Sequence, residues 1–355
     1  MSLSIVQKFQ ILLVRAVILF IWGLEGVSGF GFRVPIYPIG YALSIAAVNV
    51  FLMFVVTAYS TNYFHWVSQG LFFDTHYSSD FRLNFNNRDV LGAASLAQNF
   101  PVMVNDIKFP EITADAVLIV DKGTERVLYE HNSSKRLASA STTKLMTALV
   151  ATEIYHPEDT ISISPECASI DSTKAGLPVG SEYKMKDLMS VMLISSAGDA
   201  ACALAESKVN TGEFLYKMNQ KAYQLGMSST FFTNAIGLDG YNSAHFSDAT
   251  DLYKLSSAAM ENKTIAGIVR TKDYIIKSVD ESYIGTIQTT NQLLYEIPQT
   301  VGIKTGTTAE AGQVLIYEYR DEYKDVVIIV MGSNDRFSDT RVLLNWLFAS
   351  YSWNG

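Results

Sequence analysis

The pattern of apolar and polar positions divides the chain near residue 110. Before it lie long uncharged runs; after it, apolar residues recur with the periods of strands and helices. Gly40–Tyr59 (GYALSIAAVNVFLMFVVTAY) lies within a stretch from Val34 to Phe73 that holds no Asp, Glu, Lys or Arg. A bilayer core needs about 20 such residues, whereas a buried soluble helix is usually shorter and amphipathic. This run is expected to be a transmembrane helix. Phe9–Trp22 is shorter and broken by Arg15, and reads as an interfacial helix or a first span. Residues 1–60 are therefore taken as a membrane anchor region. Residues 61–110, rich in aromatics, Asn and Ser with few periodic runs, are taken as a spacer, and residues 111–353 as the functional domain.

Within that domain, Ala114–Asp121 and Gly123–Glu130 read as a hairpin. Helical patterns follow at Thr142–Tyr155, Met185–Ile194, Asp199–Glu206 and Phe214–Leu225. Gly302–Gly306, Val314–Tyr319 and Asp325–Met331 read as strands, and Asp339–Ala349 as a last amphipathic helix. Two strands open the domain and three close it. The simplest architecture is an α/β fold with one mixed sheet built from both chain ends, covered by helices, with a helical insertion. No internal repeat or low-complexity tract interrupts it, and no further domain is expected after the last helix.

Composition adds direction and excludes partners. The chain has 355 residues, a net charge of −8 and 48% hydrophobic residues, enough for one large domain or two smaller ones with a real core. Lys8, Arg15 and Arg33 precede the span against Glu25 alone, so the N-terminus is expected in the cytoplasm and the rest outside. If Phe9–Trp22 also spans, the N-terminus starts outside. Val56-Thr-Ala58 resembles a signal-peptidase site, but the apolar region is long for a signal peptide, and an uncleaved anchor is favoured. The acidic balance beyond the anchor argues against nucleic acid or anionic lipid as main partner of the exported part. Cys167 and Cys202 read most simply as two small buried thiols, with a disulfide left open. No His/Cys cluster has metal-ligand spacing, so neither a metal nor another cofactor is expected.

The chemistry is concentrated in ASASTTKLMTALVA, residues 138–151. Ser141 stands where a helix would start, and Lys144 occupies the place where a capping box carries Glu or Gln. The following residues are apolar almost all round, which marks a buried helix. Lys144 then shares a buried face with Ser141 one turn away. Burial lowers a lysine pKa, and a neutral lysine can take a proton from a serine. The helix start adds free N–H groups suited to developing negative charge. The alternative is a structural lysine that snorkels outward. A second match, Ser181-Glu-Tyr-Lys184, sits in a polar helix start where the lysine is expected to be solvated. Lys304-Thr305-Gly306 would present a cation and a hydroxyl on a strand whose glycine admits a close backbone.

Ser141-x-x-Lys144 and Lys304-Thr-Gly306 resemble two of the three motifs of the penicillin-binding-protein and serine β-lactamase superfamily. The likeness is nearest to the low-molecular-mass D-alanyl-D-alanine carboxypeptidases. It takes in Arg136–Ala148, Ser196-Ala-Gly-Asp-Ala-Ala with the helix after it, Thr230–Asn234, Gly237-Leu-Asp239 and Thr290–Leu294, and covers about Ala114–Phe348. The resemblance implies a DD-peptidase/β-lactamase-like fold, with a mostly antiparallel central sheet flanked by helices and a helical subdomain. It implies Ser141 as acyl-accepting nucleophile, Lys144 as its base and Ser196 as proton relay to the leaving amine. Lys304 and Thr305 would hold the substrate carboxylate, beside Gly306. The N–H groups of Ser141 and Thr307 would form the oxyanion hole, and Arg336 would be a second carboxylate contact.

One departure stands out. The second motif is usually Ser-x-Asn, and here Gly198 fills the Asn place; no Ser-x-Asn occurs between Ser141 and Lys304. Asp199 is read as the N-cap of the next helix. The implied activity is a serine carboxypeptidase at the bacterial cytoplasmic membrane, trimming terminal D-Ala from peptidoglycan stem peptides and inhibited covalently by β-lactams. Two alternatives are a wall-binding protein that has lost turnover through Gly198, and a β-lactamase, which lacks the deacylating Glu-x-x-Leu-Asn pattern here.

Overall fold

The computed structural model describes residues 100–240 and 243–353. Both apolar runs, the anchor and most of the expected spacer lie outside the described residues. Among the described residues no helix is long and apolar enough to cross a membrane. In chain order the elements are β1 (Pro101–Met103), β2 (Ala116–Asp121), β3 (Arg126–His131), a 3-10 turn (Ala140–Thr143), α1 (Lys144–Ile154), β4 (Thr160–Ser162), α2 (Pro165–Ser169), β5 (Glu182–Lys184), α3 (Met185–Ile194), α4 (Gly198–Glu206) and α5 (Thr211–Gln224). Then come α6 (Ala249–Glu261), α7 (Lys263–Ile268), β6 (Asp273–Lys277), β7 (Ile284–Gln288), α8 (Leu293–Glu296), β8 (Thr300–Thr308), β9 (Gly312–Arg320), β10 (Asp325–Ser333), α9 (Arg336–Ser350) and β11 (Tyr351–Trp353).

The sheet has the order β3-β2-β10-β9-β8, assembled from both chain ends as the sequence suggests. Every pairing in it is antiparallel rather than mixed. Alternation along the central strands sends side chains to two cores. Leu118, Val120, Ile316, Val327 and Ile329 face the helical body, against α1, α3, α4 and α6. Val117, Ile119, Tyr317, Ile328 and Val330 face α9 through Leu343, Leu344 and Leu347. α1 lies in the middle of the helical body with residues 144–148 all buried, as an all-round apolar helix must.

Three local readings change. The expected helix from Thr142 begins instead with a 3-10 turn, and α1 proper starts at Lys144. Cys167 and Cys202 are bonded to each other and are not free thiols. Only their spatial closeness, across a separation of 35 residues, decides this. The domain boundary drawn at residue 110 falls inside a packed region. β1 pairs with β11, and Phe109 stacks on Tyr129 at 3.7 Å between ring centroids and meets Trp346 edge-on.

Candidate active site

Ser141 lies half-buried in the 3-10 turn, where the backbone is bent by Ala140 at φ +47°. It caps nothing: neither the turn nor α1 has a side-chain cap. Its hydroxyl turns instead to Lys144, whose Nζ lies 2.8 Å from Oγ. Lys144 also donates to the Ile236 carbonyl at 2.6 Å. It is 1% exposed, and this burial pulls its pKa down from 10.5 to about 7, opposed by the charge of Asp199. Near neutrality the amine is therefore partly uncharged, and the 2.8 Å contact can then run with the Ser141 hydroxyl donating.

Groups outside the Ser-x-x-Lys and Lys-Thr-Gly motifs hold this pair. Asn234 Oδ1 accepts from the N–H groups of Ile236, Gly237 and Leu238 at 3.1, 2.7 and 3.0 Å, shaping the turn that presents the Ile236 carbonyl to Lys144. Gly237, at φ +87°, packs so closely on the Ala140 carbonyl that a Cβ would stand 2.0 Å from its oxygen. His245 Nδ1 accepts from the Thr233 N–H at 3.1 Å, so Nε2 carries the proton and donates to Thr143 Oγ1 at 2.8 Å. Burial lowers the His245 pKa to about 4, which keeps the ring neutral.

The second pair forms across the fold. Ser196 lies between α3 and α4 with φ +63°, a strained conformation for a serine. Its Oγ accepts from Lys304 Nζ at 3.0 Å. Lys304 is 1% exposed and also bonds the Thr305 carbonyl at 3.0 Å. Burial, Lys144 and Arg336 together push its pKa well below the usual lysine range. Thr305 is buried, its hydroxyl 2.5 Å from that of Thr290. Gly306 has a sharper reason than substrate access. A Cβ there would lie 2.9 Å from both the Ser141 nitrogen and the Ala140 Cβ, so the glycine lets β8 run directly against the turn carrying Ser141. Thr307 follows, exposed.

Arg336 opens α9 and is not a free surface arginine. Its Nη1 donates to the Gly306 carbonyl at 2.7 Å and to Thr307 Oγ1 at 2.6 Å. Among the described residues, no carboxylate bonds Lys144, Lys304 or Arg336. The structure thus brings together all eight residues singled out in sequence.

One reading fails here. Asp199 is not an N-cap: Ala197 holds that position, and the Asp199 carboxylate instead accepts from the backbone of Ala175, Gly176 and Leu177 at 3.1, 2.9 and 3.2 Å. Gly198 does not leave open space, as a Cβ there would stand 1.8 Å from Ser172 Oγ. Lys184 is solvent-facing and paired with Glu158 at 2.7 Å, as expected.

The family described as D-alanyl-D-alanine carboxypeptidase, peptidase S11, matches residues 103–335. The D-alanyl-D-alanine carboxypeptidase DacF of Bacillus subtilis is 30% identical over 248 residues, 67% of this chain and 63% of that one. The D-alanyl-D-alanine endopeptidase of Escherichia coli is 32% identical over 67% of this chain and 78% of its own. The crystal structure of the Streptomyces K15 DD-transpeptidase superposes with a TM-score of 0.64 at 30% identity, covering 68% of this chain and 100% of that one.

Proposed function

The chain belongs to the D-alanyl-D-alanine carboxypeptidase family, serine peptidases of the cell wall, and from that premise we propose that it trims terminal D-Ala from peptidoglycan stem peptides through an acyl-enzyme on Ser141. The observation that carries this reading is the Ser141–Lys144 contact of 2.8 Å around a buried lysine whose pKa is about 7. Such a lysine takes the Ser141 proton as Oγ attacks the carbonyl of the scissile D-Ala–D-Ala bond. The N–H groups of Ser141 and Thr307 receive the oxyanion. Collapse breaks the C–N bond, and the proton reaches the departing amine through Ser196, which Lys304 orients. Water then hydrolyses the ester and frees Ser141.

The preference for a chain end rests on charge. Lys304 and Arg336 have no carboxylate partner among the described residues, and a terminal D-Ala carboxylate would supply one. It would also raise the Lys304 pKa by opposing the neighbouring cations. β-Lactams, which carry a carboxylate beside a reactive amide, are expected to acylate Ser141 and stay there.

The Cys167–Cys202 bond suits an oxidising compartment outside the cytoplasm. Retention at the membrane rests on Gly40–Tyr59, as a single span or as the second of two. The test is to incubate the full chain with a labelled penicillin, map the adduct by mass spectrometry, and assay D-Ala release from a pentapeptide. An adduct on Ser141 with release is expected. No adduct overturns the acyl-enzyme, and an adduct without release overturns the carboxypeptidase reading and favours the wall-binding one.

A further inference from the structure

The third position of the second motif is empty in sequence but filled in space. Residues 171–177 form a strap across the start of α4. The Gly198 N–H donates to the Thr173 carbonyl at 2.6 Å. The Asp199 carboxylate holds the next three backbone N–H groups of the strap that it can reach, at Ala175, Gly176 and Leu177. Tyr283 donates to the Ala175 carbonyl at 3.4 Å. Just before the strap, the Cys167–Cys202 bond ties α2 to α4. The backbone and carboxylate ties hold the strap on the start of α4, Tyr283 holds it from the β6–β7 hairpin, and the disulfide fixes the helix before it to α4.

The result is specific at one atom. Ser172 Oγ stands 1.8 Å from where a Cβ of residue 198 would be, with Ser172 Cβ at 3.1 Å and the Thr173 carbonyl oxygen at 3.2 Å. A side chain at 198 and a hydroxyl at 172 therefore compete for one place. Ser172 is half-buried and uses its own proton within the strap, donating to the Thr173 carbonyl at 3.1 Å. Its oxygen lone pairs remain as acceptors.

We propose that Ser172 supplies from the strap the polar group that Gly198 lacks, as a positioning residue that orients the incoming peptide beside Ser196. This rests on the acyl-enzyme reading above. The strap and the glycine are then one device: the hydroxyl enters only because residue 198 has no side chain, and Gly198 is not a lesion.

The test compares acylation of full-length variants by a labelled penicillin, with thermal unfolding of each as the control for folding. Ser172→Ala is expected to lower the second-order acylation constant about tenfold, the loss of one hydrogen bond. The loss should fall mainly in the saturating concentration, with the pH profile unmoved. Ser172→Thr, which keeps the hydroxyl, should stay within about threefold of the parent. Gly198→Asn alone should slow acylation, because its amide must displace Ser172, and Ser172→Ala added to it should restore part of the rate. Ser172→Ala acylated as fast as the parent overturns the proposal while leaving the acyl-enzyme reading intact. So does Gly198→Asn acylated faster than the parent. A parent chain that is not acylated at all overturns both.

Discussion

The two serine–lysine pairs of the site are built on opposite plans. Ser141 and Lys144 are three residues apart and meet through one turn and the start of one helix. Ser196 and Lys304 are 108 residues apart and meet only where the helical body docks on the sheet. Both lysines are 1% exposed, and both pKa values are pulled down by burial. The difference lies in what sets the geometry. Helical spacing fixes the first pair locally; the second registers how well two parts of the domain are seated. On the proposed mechanism, a chain built this way separates making the nucleophile from handling the leaving group.

The sharpest way to break this comparison is Lys144→Met, which removes the amine and keeps the bulk. Acylation is expected to fall by about 10³-fold, within the range of a lost general base. Thermal stability should hold or rise, because an amine no longer has to be desolvated. The same change at Lys184, in the solvent-facing Ser-x-x-Lys match, should leave the labelling rate as it was.

Ser196→Ala should cost less, about 10²-fold in acylation, since the proposed nucleophile and base remain. Stopped-flow labelling of single and double variants distinguishes the plans. If the double variant is no slower than Lys144→Met alone, the two pairs act as one unit and the comparison fails.

The mildest effect is that of pH on the parent chain. Below about 7 the Lys144 ammonium has no lone pair, so acylation should fall tenfold per pH unit there and level off above. Stability follows the same group. The folded pKa lies below the ordinary 10.5, so between about 7 and 10.5 the unfolded chain binds more protons and stability rises with pH. A rate profile flat from about pH 5 to 9 would remove Lys144 from the role of base.

Much of the domain was legible because its signals are local. α3 spans the same residues as its apolar pattern, Met185–Ile194. The three closing strands were found with their ends cut short, since alternation weakens where strands leave the core. Lys144 could be told from Lys184 by its flanks alone, because an all-round apolar helix has no route to water. What stayed hidden was every contact made at long range by residues of ordinary local meaning. Asp199 looked like a cap because Asp often is one, yet its carboxylate holds a loop more than twenty residues back. Thr290, Asn234 and His245 carry no periodic signal that ties them to Ser141 or Lys304.

Sequence patterns sufficed for the opening hairpin, the three closing strands, the buried helix with its lysine, and the glycine where an amide is usual, but they did not mark α6 (Ala249–Glu261) or the β6–β7 hairpin. Periodicity and side-chain chemistry act over a few residues, and a few residues suffice for those statements. Only the tertiary structure decided that Lys304 reaches Ser196, that two cysteines join, and that Ser172 stands in the place left at Gly198. Each of these depends on where distant segments come to rest against one another, and that position is set by packing the whole core at once.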